Sequence, residues 1–452
     1  MATASSRGLS SALSGGAETI VACATPPGRG ALAVIRVSGP TVEELSRRVC
    51  PGVSFKDGWR ATLTAVLDTE REVLDRAIAV SYPAPRSYTG EDMLEVTIHG
   101  SACLIAEAVE SFVTAGARHA EPGEFTRRAV ANGKLDLIQA EAIRDLIDAD
   151  TAWQLRNAQR QLSGALSVAL AEMRSSLIAL VATLEASLDF EAQGVEVQAV
   201  EIETRLASCR ERVEGLLATA RAGERIRDGA RVVILGSPNA GKSTLFNYLC
   251  GSERAIVSPH PGTTRDVIEA EFDLAGVRTV IQDTAGVRSE GDAVEVEGRR
   301  RALRAAETAD VVILLWALDD DGGEPPPEPS TAAPVIRMRS KADLGDGDGD
   351  GRSDGWLRVS CHTGEGLVEL RSRLVRVVEG EIPDLGGAVA IAARHREALL
   401  AAAAELEGCD PDCPEVAAER ARWAVRAVEE LIGDVGSEDV MDVIYSRFCI
   451  GK

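Results

Sequence analysis

A glycine-rich segment, Gly236-Ser-Pro-Asn-Ala-Gly-Lys-Ser243, constrains the fold of this chain more than any other feature. It matches the pattern G-x-x-x-x-G-K-[ST] and directly follows an apolar run, residues 231–235. A strand that passes through such a loop into a helix cradles phosphate groups with backbone amides and with the positive end of the helix dipole. The segment therefore predicts an α/β domain with a mostly parallel sheet that binds a nucleotide.

Later loops supply the other parts of the predicted site. Lys242 is expected to reach the β- and γ-phosphates, and the Ser243 hydroxyl to bind Mg²⁺. Asp283 can hold the same metal through water, and Thr264 can cap it. The nucleotide contacts predicted from these motifs are Asn239, Ala240, Gly241, Lys242, Ser243, Thr244, Thr263, Thr264, Asp283, Thr284, Ala285, Gly286, Lys341 and Asp343.

The loop Ser340-Lys-Ala-Asp343 indicates that the nucleotide is GTP. An aspartate at this place accepts two hydrogen bonds from the guanine edge, which adenine cannot offer. Ser340 stands where loops of the type Asn-Lys-x-Asp carry asparagine, so we expect weaker guanine binding with specificity kept by Asp343. Cys361 and His362 replace the usual Ala-Lys of the next base-contacting loop, where backbone contacts can persist.

The mechanism of hydrolysis is constrained by Val287. Ras-like enzymes place a glutamine here to orient the attacking water, and valine has no group for that purpose. Asn239 lies inside the phosphate loop and can hold a monovalent cation beside the phosphates. From the residues alone, a solvent-facing Asn239 is the equal alternative.

Three regions differ in their pattern. Residues 18–131 mix β-type runs with a helical stretch and predict an α/β domain. Residues 132–228 have helical apolar spacing that returns within 381–452, which predicts one helical domain interrupted by the nucleotide-binding domain, 229–380. Residues 1–17 predict a disordered tail, and the biased segments 319–334 and 345–355 predict mobile surface loops.

Composition excludes several classes of protein. A net charge of -22 argues against an RNA binder that acts alone, because phosphate contacts need clustered Lys and Arg. The nine cysteines show no zinc or disulfide pattern, and Cys409 and Cys413 lack evident further metal ligands. We expect no membrane span, because the longest apolar run, about residues 311–318, has only strand length. With no evident signal peptide, these features predict a cytoplasmic protein.

Motifs outside the phosphate loop carry a family resemblance. They are Thr19-Ile-Val-Ala22, Ala24-Thr-Pro-Pro-Gly-Arg-Gly30, Ile35-Arg-Val-Ser-Gly39, Ser87-Tyr-Thr-Gly-Glu-Asp92, Pro122-Gly-Glu-Phe-Thr126, Asn132-Gly-Lys-Leu-Asp-Leu137 and Phe448-Cys-Ile-Gly-Lys452. With them the chain resembles, from about residue 19 to residue 452, the MnmE (TrmE) family of tRNA modification GTPases.

The resemblance implies a multidomain protein: an N-terminal α/β folate-binding and dimerising domain, a discontinuous α-helical domain, and an inserted Ras-like P-loop GTPase domain. It implies a homodimer that joins an FAD-dependent partner, MnmG, in a heterotetramer. Together they would install an aminomethyl or carboxymethylaminomethyl group at C5 of the wobble uridine of certain tRNAs. The one-carbon unit would come from 5,10-methylene- or 5-formyl-tetrahydrofolate, and K⁺ and G-domain dimerisation would stimulate GTP hydrolysis.

Site residues follow from the same resemblance. A folate site would include Arg36, Glu95, Lys134 and Lys452, although Glu95 alone is typical of a solvent-facing strand residue. Cys449 is either a catalytic thiol or a small buried apolar residue. Glu295 matches the catalytic glutamate, which orients water indirectly. The implied K⁺ ligands are Asn239, Ser258, His260 and Thr263.

A second function stays open. Related GTPase domains also serve as GTP-dependent assembly factors or ribosome-associated switches, in which hydrolysis only times association. The motifs of residues 19–137 and the segment 448–452 favour tRNA modification.

Overall fold

The computed structural model describes most of the chain in two compact units. One unit comprises Met1–Arg144 with Glu429–Lys452, and the other comprises Asp145–Val428. The predicted boundaries near residues 131, 228 and 380 remain predictions. The described residues are 18–191, 199–220, 223, 227, 229–237, 239–252, 254–255, 268–283, 300, 303–318, 325–344, 355–380, 391–433, 445, 448 and 450–451.

The first unit contains a six-stranded, largely antiparallel sheet in the order β3-β4-β5-β2-β1-β6. Its strands are β1 (Ile20–Cys23), β2 (Leu32–Ser38), β3 (Ala61–Leu67), β4 (Val73–Tyr82), β5 (Met93–His99) and β6 (Arg118–His119), and its first helices are α1 (Val42–Val49), α2 (Ala102–Ala115) and α3 (Glu124–Ala131).

Strand β2 shows how this sheet separates core from site. Ala33, Ile35 and Val37 alternate into the core that α1 and α2 cover. Because side chains alternate along a strand, Arg36 points to the opposite face.

Six further helices lie outside the two sheets of the protein, and four of them carry apolar residues at alternating spacings of three and four. Alternating spacings of three and four place these residues along one stripe of the helix. In left-handed helix packing, each helix buries such a stripe against its neighbours. The six helices are α4 (Leu137–Ile147), α5 (Ala152–Leu162), α6 (Ala165–Glu191), α7 (Ala199–Leu217), α10 (Ala393–Glu407) and α11 (Pro414–Ile432). The buried seams are Leu166, Leu170, Met173, Leu177, Leu180 and Leu184 on α6; Ile202, Leu206, Cys209 and Val213 on α7; His395, Leu399, Ala402 and Leu406 on α10; and Ala417, Ala421, Ala424 and Val428 on α11.

Helix α6 contradicts one expectation. Its segment Ala165–Leu188 is long and apolar enough to cross a membrane by length and composition. An 18-residue stretch of this segment has a mean hydropathy of 1.6, and 28% of that stretch is buried. The expectation that no apolar run reaches bilayer length is therefore wrong for this helix. The residues of this segment from Leu166 to Leu184 that face one side form a buried stripe, as in an amphipathic helix that packs along one face.

A seven-stranded sheet in the order β13-β12-β11-β7-β10-β9-β8 forms the nucleotide-type domain. Strands β7, β10, β11, β12 and β13 run parallel, and β8 and β9 pair antiparallel at one edge. Strands β7, β10 and β11 are therefore central, and their carboxyl ends meet at one edge, where such sheets bind ligands. The elements are β7 (Ala230–Gly236), α8 (Lys242–Ser252), β8 (Arg254–Ala255), β9 (Ile268–Leu274), β10 (Val277–Asp283), β11 (Val311–Ala317), β12 (Val335–Ser340), β13 (Leu357–Arg358) and α9 (Leu367–Gly380).

Candidate nucleotide and ligand sites

The phosphate loop joins β7 to α8 at the carboxyl edge of the seven-stranded sheet. A Cβ added at Gly236 would lie 2.5 Å from the carbonyl oxygen of Leu315 on β11, so only glycine fits against that strand. Asn239 and Gly241 hold φ values of 62° and 87°. Single residues in this left-handed region turn successive amides toward one concave side, which is the backbone form that binds anions. The predicted loop is therefore present.

Lys242 begins α8 and closes over its own loop. Its Nζ donates to the carbonyl oxygens of Gly236 at 3.0 Å and Ser237 at 2.8 Å. The next two side chains, Ser243 and Thr244, are exposed at the first turn of the helix. The ammonium group and the helix N-terminus thus place positive charge at the mouth of the loop, as phosphate binding requires.

Ser340 connects the base-recognition loop to the phosphate loop. Its buried Oγ donates to the carbonyl oxygen of Ala240 at 2.6 Å. Ala240 is itself fully buried in the phosphate loop. The serine that replaces asparagine therefore ties two loops that are far apart in sequence.

Asp343 is held by the following loop. Its Oδ1 accepts a 2.5 Å hydrogen bond from Ser360 Oγ, which in turn accepts from the amides of His362 and Thr363 at 3.2 and 3.1 Å. The Ser360 hydrogen bond, with that of its own amide, lowers the pKa of the Asp343 carboxyl. The carboxylate stays exposed and ionised, which is the form that accepts hydrogen bonds from guanine.

Asp283 is the last residue of β10 and pairs in register with Ile234 of β7. The backbone of Asp283 therefore lies at the same sheet edge as the phosphate loop. Ten other predicted site residues fall outside the described residues: Ser258, His260, Thr263, Thr264, Thr284, Ala285, Gly286, Glu295, Cys449 and Lys452. The same holds for Val287, the tail 1–17 and most of the segment 345–355.

In the first unit, Arg36 and Glu95 form an ion pair across β2 and β5 in which two guanidinium nitrogens share one carboxylate oxygen. The two residues are register partners, and Arg36 Nε and Nη2 donate to Glu95 Oε1 at 2.9 and 2.7 Å. Their side chains are 16% and 24% exposed, so the pair is partly sheltered. The Arg36 guanidinium also faces the rings of Tyr88 and Phe125 at 5.1 and 5.7 Å. The structure thus brings two of the predicted folate residues into direct contact.

Gly451 joins this pair from the far end of the chain. Its carbonyl oxygen accepts from Arg36 Nη1 at 3.3 Å. A Cβ on Gly451, whose φ is 99°, would lie 2.3 Å from the carbonyl oxygen of Cys23, so a side chain cannot be accommodated. The glycine of the segment 448–452 is therefore needed for this close approach.

Tyr82 contacts the same pair, and Lys134 contacts the segment that follows β4. Tyr82 donates from its hydroxyl to Glu95 Oε2 at 3.2 Å. Burial, then the charge and hydrogen bond of Glu95, raise the pKa of Tyr82 and keep this donor protonated. Lys134 donates to the carbonyl oxygen of Pro85, three residues after Tyr82, at 3.1 Å. Tyr82 was not among the predicted site residues, because its contact depends on strand register.

Arg128 is a structural residue that the sequence did not single out. Its side chain is 4% exposed and pairs with Glu91 at 3.0 Å and Glu124 at 2.9 Å. Glu91 belongs to the motif Ser87–Asp92 and Glu124 to Pro122–Thr126. The buried cation therefore holds two of the family motifs together.

Other titratable candidates have structural partners. His99 is exposed and its Nδ1 lies 3.0 Å from Asp75. Burial raises the pKa of Asp75, but hydrogen bonds from the His99 amide and ring outweigh this effect and the pKa is lowered. Cys409 donates its thiol to the carbonyl oxygens of Glu405 and Ala417. Among the described residues, no group of three His, Cys, Asp or Glu could hold a metal ion.

Comparison with known proteins identifies the families that the chain resembles. Residues 137–449 match the model of the MnmE helical domain, and residues 19–134 match that of the GTP-binding protein TrmE N-terminus. The tRNA modification GTPase MnmE of Methylobacterium radiotolerans is 41% identical over 444 residues, which cover 96% of this chain and 99% of that protein. The tRNA modification GTPase MnmE of a Thermus thermophilus strain is 42% identical over 441 residues, with coverage of 96% and 99%.

Among solved structures, the G domain of the T. maritima FeoB iron transporter is 25% identical, with a TM-score of 0.24, over 33% of this chain and 98% of that one. The family-model matches to the N-terminal and helical domains, together with the two sheets, confirm the predicted multidomain fold class.

Proposed function

This chain belongs to the tRNA modification GTPase MnmE family, and from that premise we propose that it couples GTP hydrolysis to a one-carbon-dependent modification at C5 of the wobble uridine. It is an enzyme, a GTPase that acts in tRNA modification. The proposed product is an aminomethyl or carboxymethylaminomethyl group. The observation that carries the proposal is the Arg36–Glu95 pair, contacted by Tyr82 and Gly451.

The residues around Glu95 fit a folate. Arg36 donates twice to Oε1 and Tyr82 donates once to Oε2, which leaves one lone pair of Oε2 for another donor. A pterin presents an amide-like edge with N–H donors, and Lys134 and Lys452 suit a negatively charged glutamyl tail. When bound, a 5,10-methylene- or 5-formyl-tetrahydrofolate would supply the one-carbon unit. The residues around Glu95 would bind and orient this folate. Cys449, in the segment 448–452, is a candidate thiol for the reaction.

In the GTPase site, Lys242 and the amides of residues 239–244 would bind the phosphates, and Asp343 would select guanine. Ser243, Thr264 and Asp283 would hold Mg²⁺, which neutralises phosphate charge. Glu295 would orient a water molecule that attacks the γ-phosphorus, so that the bond to the β-phosphate oxygen breaks and GDP and phosphate form. Asn239, with Ser258, His260 and Thr263, would hold the K⁺ that replaces an arginine finger.

The proposed partners follow from charge as well as from the family. A net charge of -22 leaves little long-range attraction for tRNA, so an MnmG-type FAD protein would supply much of the RNA-binding surface. We place the chain in the cytoplasm as a homodimer within a heterotetramer.

Nucleoside mass spectrometry of bulk tRNA tests the proposal. Deletion of the gene should remove the C5 modification of the wobble uridine, and the wild-type gene should restore it. Lys242→Ala and Glu95→Gln should each fail to restore it, whereas Arg47→Met, which changes an exposed ion pair on α1, should restore it fully. A modification that survives deletion, with altered ribosomal particles instead, would favour the assembly-switch alternative and reject this one.

A further inference from the structure

Trp59 is exposed in a conformation that a bulky residue rarely adopts. Its side chain is 58% exposed, and its φ is 68°. The left-handed region is unfavourable for large side chains because the Cβ approaches the following carbonyl group. Such strained residues concentrate where a ligand is held.

The surrounding backbone enforces this conformation. The Trp59 amide donates to the carbonyl oxygen of Ser81 at 2.8 Å, and Ser81 Oγ donates to the carbonyl oxygen of Ser54 at 2.8 Å. A Cβ at Gly58 would lie 2.3 Å from the ring of Pro83, so the loop packs tightly on the end of β4. The backbone of Trp59 is therefore held in place, although the residue is largely exposed.

That place adjoins the Arg36–Glu95 pair. The rings of Trp59 and Tyr82 meet edge to face, with centroids 4.9 Å apart and an interplanar angle of 89°. Tyr82 in turn donates to Glu95 at 3.2 Å. The Tyr82 side chain therefore connects the exposed Trp59 indole to the Glu95 carboxylate.

We propose that Trp59 is a ligand-binding residue whose indole receives the flat heteroaromatic ring system of a folate that meets Glu95. This inference rests on the proposed folate function of the site. The carboxylate recognises an N–H edge, the guanidinium of Arg36 balances its charge, and the exposed indole offers an apolar face that a planar ring can cover. A flat ring with a polar edge is the one ligand chemistry that satisfies both groups. A second copy of this chain is the competing occupant of the indole.

The substitution Trp59→Gly tests the contribution of the indole separately from that of the unusual backbone conformation. Glycine adopts a φ of 68° without a steric cost, so Trp59→Gly keeps the loop conformation and removes the aromatic surface. Titration calorimetry of the full chain with 5-formyltetrahydrofolate measures the effect. We expect Trp59→Gly to weaken binding about tenfold, Trp59→Phe to retain most of it, and the thermal midpoint of neither variant to fall. Trp423→Ala, which removes the exposed indole of α11, is the matched control and should bind as the wild type does.

The outcomes distinguish this inference from the function on which it rests. If the wild type does not bind 5-formyltetrahydrofolate, the folate site itself is rejected, and the role of Trp59 with it. If the wild type binds and Trp59→Gly binds equally well, only the role of Trp59 is overturned. Unchanged affinity with a smaller sedimentation coefficient would assign the indole to contact between copies of the chain. Weakened binding at an unchanged sedimentation coefficient supports the proposal.

Discussion

Ser340 Oγ donates a 2.6 Å hydrogen bond to the carbonyl oxygen of Ala240, so strand β12 and the phosphate loop are tied by one hydroxyl. Both residues are buried, and water cannot replace the lost donor easily. Ser340→Ala should therefore speed nucleotide dissociation about five- to tenfold, the equivalent of one neutral hydrogen bond. Stopped-flow release of a fluorescent GDP analogue measures it. Ser330→Ala removes an exposed serine hydroxyl elsewhere in the same domain and should leave the rate unchanged; equal rates for both variants would contradict the tie.

The hydrogen bond from Ser360 should set the acid limit of GTP binding. It is the largest cause of the lowered pKa of Asp343, and the ionised carboxylate is the form that binds guanine. A lowered pKa keeps this form present at lower pH, so Ser360→Ala should move the acid loss of affinity to higher pH. Binding curves between about pH 4 and 8, each normalised to its value at the upper end, give the midpoint. A midpoint that is identical in both proteins would reject this assignment.

Potassium should accelerate GTP hydrolysis relative to sodium at equal ionic strength, if Asn239 holds the cation. Asn239→Gly removes the amide oxygen yet accepts the φ of 62° that this position requires. We expect this variant to bind nucleotide but to hydrolyse GTP equally slowly in both salts. Phosphate release assays in the two salts provide the comparison, and a surviving potassium effect would place the cation elsewhere.

Glu295 should matter for hydrolysis and not for binding. Val287 cannot orient water, so another group must do so. Glu295→Ala is expected to keep the affinity for a GTP analogue and to lose most turnover. Glu297→Ala changes a carboxylate two residues away and serves as the control. Loss of turnover in the control alone would show that the two glutamates were assigned in the wrong order.

Arg128 should contribute more to stability than an exposed arginine does. Arg128→Met leaves Glu91 without its buried cation, whereas Glu124 keeps Arg118 at 2.7 Å, so the free energy of unfolding should fall by about 3 kcal/mol. Arg47→Met breaks an exposed pair with Glu43 and should cost less than about 0.5 kcal/mol. Chemical denaturation of the full chain compares the two. Similar midpoints would show that the buried network is dispensable.

Local sequence patterns predicted the strands that are apolar and uninterrupted. The apolar run 231–235 falls inside β7, and the apolar run 311–318 contains β11. Strand β3, Ala61–Leu67, was missed because its alternating threonines and alanines carry a weak signal.

Contacts between distant residues were less accessible to prediction. The family motifs pointed to Arg36 and Glu95 separately, but their pairing depends on a register across 59 residues. The link from Ser340 to Ala240 spans 100 residues and appears in no local pattern. No sequence pattern indicated Trp59, because the two features that distinguish it are a backbone angle and a contact with Tyr82.

The hydrogen bond between Arg36 and Gly451 has a consequence for how the protein is made. The two residues are 415 positions apart, and a ribosome adds about 5–20 residues per second, so about 20 to 80 s separate the synthesis of the two partners. During that interval the sheet of the first unit can form, but the Arg36 guanidinium does not yet have the Gly451 carbonyl oxygen as an acceptor. A nascent chain that is released before residue 451 can therefore display an intact nucleotide loop and still lack part of its other site. Synthesis through residue 451 is therefore required before that site has all of its described contacts.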